Sequence, residues 1–265
     1  MSFQPVIPQS GLAGWRFLQR TFDQQTVVFA KGPQLLRDTA YFEARIGSVN
    51  SAEELVADRR LLRVALGAFG LQDDINNRFF IRKVLEGGVI QPDSLANKLG
   101  DDRYREMSRA FGFGDLAVPS SKLSDFGPDI TARYRRQQFE LAVGTQSEPL
   151  RLALTASRDL PELAASTDTE RTKWFRIMGR PPLRKIFETA LGLPSSFGSL
   201  DLDRQLGVFQ DRARRQLGIS SLSDLTEPDV QDKLIQRFLL RADITQQSYV
   251  GSASVALGLL MNMRR

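Results

Sequence analysis

Three pairs of aspartates, Asp73-Asp74, Asp101-Asp102 and Asp201/Asp203, and two arginine clusters, RYRR at 133–136 and RARR at 212–215, have types and spacing that could do chemistry. Paired carboxylates can hold Mg²⁺ or divide the roles of acid and base. Clustered guanidinium groups can contact phosphates. The chain has no Cys and no His. Thiolate nucleophiles, Ser-His and Cys-His relays, imidazole bases and Zn–Cys sites are therefore excluded within it. Two chemical readings remain: a hydrolase with carboxylates facing across a cleft, and a nucleic-acid binder using Arg133, Arg135 and Arg136.

The surrounding residues favour plainer roles for both sets. Each aspartate pair falls where a helix should begin, and an aspartate there caps open N–H groups and complements the helix dipole. Glu140 and Asp211 lie near the arginine clusters, and no aromatic residues alternate with the arginines to stack bases. The net charge of +5 is mild for 265 residues, although 29 Arg stand against 7 Lys. Paired surface networks are the expected use of that arginine. The stretch GFGDLA at 112–117 imitates a dinucleotide fingerprint, but a helix pattern precedes it where a strand is needed. No cofactor, metal or small-molecule substrate is expected.

Helix signals dominate the elements that must carry these groups. Ser51 with Glu54 reads as a capping box opening a helix with the stripe Leu55, Leu62, Ala65, Leu66, Phe69, stopped at Gly70. Asp73 or Asp74 should cap INNRFFIRKVLE, whose apolar residues run nearly all round and predict a helix buried on several sides. Asp101 opens DDRYREMSRAFG, with Tyr104, Met107 and Phe111 on one face. Further helices are predicted at about 129–143, 148–160, 168–178, 183–191, 201–217 and 228–241, with a terminal helix at 245–262. Trp15, Phe17, Phe22, Phe79, Phe80, Trp174 and Phe175 are expected in the core. The terminal stretches GLAGWRFLQRTF and VALGLLMNMRR could dock on the chain itself or on a partner. TVVFA at 26–30 is the strongest strand-like run and has no partner of equal strength. The fold class is all-α.

Two copies of one unit are visible in the pattern. Ala-Leu-Gly at 65–67 recurs at 190–192, and Leu95 and Phe111 match Leu222 and Phe238 at a constant offset. YFEARIG at 41–47 echoes WFRIMG at 174–179. A helical bundle built by internal duplication is expected, its glycines serving as helix ends. The Pro- and Gly-punctuated segment 115–128 should connect an N-terminal half, 1–114, to a C-terminal half, 129–265, with one compact domain as the alternative. The first residues lack a signal-peptide pattern and no run suffices to span a bilayer, so a cytoplasmic location is expected.

Several of these stretches carry a family resemblance. ADRRLLRVALGAFGLQDD at 57–74, FIRKVLEGGV at 80–89, DSLANKLGDDRYREMSRAFGF at 93–113, LRLAL at 150–154 and ALGLPSSFGSLDLDRQLGVF at 190–209 carry it. Together they resemble the bacterial domain of unknown function family 1217 across nearly the whole chain. The segment holding Asn97, Asp101, Asp102, Arg103 and Tyr104 is the specific motif; Gly67 departs from the family pattern, which has a longer residue there. The resemblance implies an all-helical duplicated fold and genes lying among flagellar genes. It supplies no catalytic residue. The expectation is a non-catalytic accessory protein with a protein partner, a flagellar component by this resemblance, rather than nucleic acid. Its expected contacts are Asp101, Asp102, Arg103 and Tyr104, with Arg133, Arg135 and Arg136 as the basic alternative.

Overall fold

The computed structural model describes residues 3–262, with backbone alone for residues 195 and 246–262. The described residues form thirteen α-helices joined by short 3-10 turns, with no strand. TVVFA lies inside the first helix, α1 (Gly11–Ala30). Strand propensity loses there because no strand among the described residues is present to pair with it.

Two compact units make up the chain. The first comprises Gln19–Gln146 with the N-terminal residues up to Val6; the second comprises Ile7–Leu18 with the chain from Ser147 onward. The division thus differs from the one expected at 115–128. That segment contains a 3-10 turn at 120–122, and the helix after it, α8 (Phe126–Gly144), belongs to the first unit. Ser121 Oγ donates to Val49 O at 2.8 Å and ties the segment down. Its Pro and Gly residues make a turn, not a boundary.

In the first unit follow α2 (Pro33–Arg45), α3 (Ala52–Ala57), α4 (Arg59–Ala68), α5 (Arg78–Gly87), α6 (Leu95–Lys98) and α7 (Asp102–Phe111). The helix expected from 51 to 70 is two helices. Ser51 Oγ accepts from Glu54 N and starts α3. Glu54 does not complete the box, since its carboxylate accepts from Asn50 N, one residue upstream. Asp58 then leaves the helical region and accepts from the N–H groups of Arg60 and Leu61, so it caps α4. An aspartate that can bond its own following amides competes with helix continuation. Helix α4 packs against α2 and α8, burying Leu61, Leu62, Val64, Ala65 and Leu66.

Helix α5 corrects a second expectation. Ile81, Val84 and Leu85 are buried, but Phe79 is 70% exposed. A 3-10 turn at 72–76 intervenes, and the helix starts at Arg78 with no side-chain cap from Asp73 or Asp74. Phe79 lies well round the helix from Ile81, Val84 and Leu85 and faces out, beside Arg82 and Lys83. Trp15 and Trp174 are buried as expected, and Phe17, Phe22, Phe80 and Phe175 are half-buried.

The second unit holds α9 (Glu148–Ala165), α10 (Glu170–Gly179), α11 (Pro181–Leu191), α12 (Leu202–Leu217) and α13 (Pro228–Asn262). Helix α11 packs against α9, α10 and α13. Trp174, Phe187, Phe197 and Phe209 interlock edge-on and stacked at its centre. The two helices expected at 228–241 and 245–262 are one; the side chains of the apolar tail lie outside the described residues.

One order of elements occurs in both units. A helix ends on a positive-φ glycine, Gly70 after α4 and Gly192 after α11. The next N–H reaches back across the end, from Leu71 to Leu66 O and from Leu193 to Glu188 O, both 2.9 Å. This bond pattern satisfies carbonyls left open at a helix C-terminus. A five-residue 3-10 turn follows, 72–76 or 195–199. Then come α5 or α12, each ended by a positive-φ glycine, Gly88 or Gly218. A short helical turn, α6 or 222–226, leads into α7 or α13. The two Ala-Leu-Gly tripeptides are not equivalent in this order. Gly192 ends its helix, whereas Gly67 lies inside α4 and Gly70 ends that one.

Candidate functional site

The specific motif folds into a knot of charged and aromatic groups around the start of α7. Asp101 caps the helix by accepting from Arg103 N at 3.1 Å. The same carboxylate receives Arg103 Nε at 3.0 Å and Nη2 at 2.6 Å. The other terminal nitrogen, Nη1, donates to the carbonyl oxygen of Gly70. Tyr104 O–H donates to Asp74 at 2.5 Å, and its ring meets Phe80 edge-on at 5.3 Å. Asp102 is buried and pairs with Arg105.

A guanidinium at the end of α4 complements the negative end of that helix's dipole. The second unit does the same with other residues. Arg212 Nη1 donates to Leu191 O and Gly192 O, both at 3.1 Å, and Arg237 Nε donates to Ala190 O at 2.8 Å. Burial works to lower the Arg103 pKa, but the hydrogen bond and charge of Asp101 outweigh it and hold the pKa above its ordinary value. Burial, then the bond and charge of Asp74, raise the Tyr104 phenol well above the usual tyrosine range.

The four motif residues are thus brought together, each with partners in its own unit. The basic positions are engaged as well. Arg133 lies over the Phe69 ring at 5.8 Å, Arg135 is 3.8 Å from Glu43, and Arg136 is 3.4 Å from Glu140. The aspartate pairs are spread through the fold. Asp101 and Asp201 cap helices as expected. Asp74 accepts from Tyr104 and from Asn77, and Asp203 pairs with Arg171. Among the described residues, no group of three or more acidic side chains is placed to hold a metal ion.

Two features escaped the residue patterns. The first is a clasp between loops. Asp115 accepts from Val89 N at 2.8 Å and Ile90 N at 3.1 Å. Gly114 lies against the backbone of Glu86 and Gly88, where a Cβ would come within 2.4 Å of both. GFGD thus binds a turn of its own chain. The clasp sets exposed Ile90 beside the segment bearing exposed Leu116 and Val118. The second is a solvent-open cavity of about 310 Å³ in the first unit, lined from α1, α2, α8 and the N-terminal segment. Tyr134 and Gln138 of α8 line it. The Tyr134 ring lies against α4 at Gly67, where the missing Cβ leaves space. Burial, then the Asp38 carboxylate, push the Tyr134 hydroxyl up to about 12, against the pull of Arg63. Their spacing at i and i+4 was the available sequence signal.

Residues 68–230 match the family described as protein of unknown function, DUF1217. A crystal structure of a protein from Agrobacterium tumefaciens is similar over 92% of this chain and 99% of its own, with 26% identity and a TM-score of 0.75. No curated protein matches the chain. Among the described residues, no helix is long and apolar enough to cross a membrane.

Proposed function

The chain belongs to the DUF1217 family of proteins of unknown function, and on that premise we propose a non-catalytic accessory protein that works by docking on a protein partner. The observation that carries this reading is the apolar surface at the clasped loops. Ile90 is 67% exposed, Leu116 50% and Val118 66%. Exposed apolar side chains gathered on two loops that hydrogen bonds hold together are the kind of surface that takes part in interactions. Phe79, exposed between cationic neighbours on α5, adds to the same unit's apolar surface.

The link to the flagellum rests on the gene neighbourhood that the family resemblance implies, and the cytoplasm is the compartment proposed. The shared order of elements in the two units supports an origin by duplication. Engagement of Arg133, Arg135 and Arg136 within the fold weighs against a phosphate-binding stripe.

Deletion of the gene, scored for swimming and for flagellation, tests the assignment. Complementation with Ile90→Asp/Val118→Asp should fail to restore swimming while the variant protein accumulates normally. Unchanged motility on deletion would remove the flagellar reading. Full complementation by the double variant would remove the docking surface.

A further inference from the structure

Helix α8 brings two polar side chains one turn apart to the cavity of the first unit, and neither has a hydrogen-bond partner among the described residues. Tyr134 is 4% exposed, yet its hydroxyl makes no hydrogen bond to a described residue. The side-chain amide of Gln138 makes none either. Gln138 is half-buried and the cavity opens to solvent, so water can reach both groups and a ligand with a polar end can take its place. The apolar part of the lining includes Phe29, Pro33, Leu35 and Ala142, and Gln4, Gln34 and Thr145 add uncharged polar groups. No charged side chain lines it.

We propose that this cavity is a binding site for a neutral, flat small molecule of one or two rings carrying a hydroxyl or carbonyl group. The Tyr134 hydroxyl and the Gln138 amide would hold the polar end, with the ring body against Phe29, Pro33 and Leu35. Size sets the ring count. The cavity has about twice the ~150 Å³ of an engineered cavity known to take benzene, and lies at the small end of ligand sites. Charge sets neutrality, since an ion would leave water with no countercharge in the lining. The N-terminal segment helps to shape the site. Gln25 and Val6 exchange a pair of hydrogen bonds, at 2.7 and 3.2 Å, and Gln146 donates to Pro5 O at 2.7 Å. These hold the stretch that brings Phe3 and Gln4 to the lining. The site is independent of the docking surface at Ile90.

The test uses the full ¹⁵N-labelled chain titrated with 2-naphthol, and with 2-naphthoate as a charged molecule of the same shape. 2-Naphthol should shift the amides of Gly32, Tyr134, Gln138 and Thr145 saturably. 2-Naphthoate should bind at least about tenfold more weakly, as expected for a charge that loses part of its hydration in a site whose lining offers no countercharge. Tyr134→Phe should weaken naphthol binding about fivefold, the worth of one hydrogen bond. Ala142→Trp should abolish it by filling the cavity. Should that variant fail to fold, Thr145→Trp at an exposed position serves the same purpose. Absence of shifts at these amides up to the solubility limit, equal binding of naphthoate, or undiminished binding after the cavity is filled would each overturn the proposal.

Discussion

Arg103 donates through Nη1 to the carbonyl oxygen of Gly70, thirty-three residues earlier in the chain, while Asp101 holds its other face. One side chain thereby joins the start of α7 to the end of α4. Arg103→Ala should destabilise the protein by about 2 kcal/mol, the range for charge-assisted hydrogen bonds. Arg103→Lys should recover only part of this, because an ammonium cannot serve the carboxylate and the carbonyl with one planar fork. Urea unfolding curves of the two variants provide the check.

The tyrosines predict alkaline sensitivity. A tyrosine proton leaves the unfolded chain near pH 10, whereas the folded Tyr134 holds it to about 12. Below pH 10 both states carry the proton and stability is intact. Between about pH 10 and 12 only the unfolded state releases it, so stability falls by about 1.4 kcal/mol per pH unit from this group. Tyr104, raised in the same direction, adds to the fall. Urea midpoints measured from pH 9 to 11 should drop, and Tyr134→Phe should make the drop shallower.

Gly67→Ala should destabilise the protein although alanine is the better helix former by about 1 kcal/mol. A Cβ at this position would stand 2.6 Å from Cε2 of Tyr134. Overpacking of that kind costs about 1–3 kcal/mol. In a Tyr134→Ala background the same substitution should become neutral or stabilising. A double-mutant cycle by chemical denaturation measures the coupling.

Asp115→Ala should release the clasp without unfolding the unit. Val89 N and Ile90 N lose their acceptor, with a cost of about 1 kcal/mol where water can replace it. Hydrogen exchange at residues 89 and 90 should accelerate, while exchange at buried amides such as Leu62 stays near its original rate.

Much of this was legible from residue spacing. Asp101 and Asp201 were readable as caps, and Met107 and Phe111 as a buried face, because capping and helical periodicity depend on residues within one turn. The 115–128 segment misled because Pro and Gly mark turns without saying whether the next helix continues the same core. Phe79 misled because it lies well round the helix from Ile81, Val84 and Leu85, and apolar type alone does not say whether that side is covered. The partners of Arg103 and Tyr104 were invisible. Gly70 and Asp74 lie some thirty residues away, and local pattern carries no record of such pairing. Of the two Ala-Leu-Gly tripeptides, the second ends its helix at Gly192 whereas Gly67 of the first lies inside α4, so the tripeptide alone does not mark a helix end.

The loop holding Ile90 is fastened through both oxygens of Asp115, with Gly114 packed close against the backbone of Glu86 and Gly88. A surface made ready in this way surrenders little freedom when something lands on it, so more of the contact energy is left for affinity. Selection acting there would be felt as intolerance to length change: one residue inserted at either loop would misalign the two strands of chain that share the fastening.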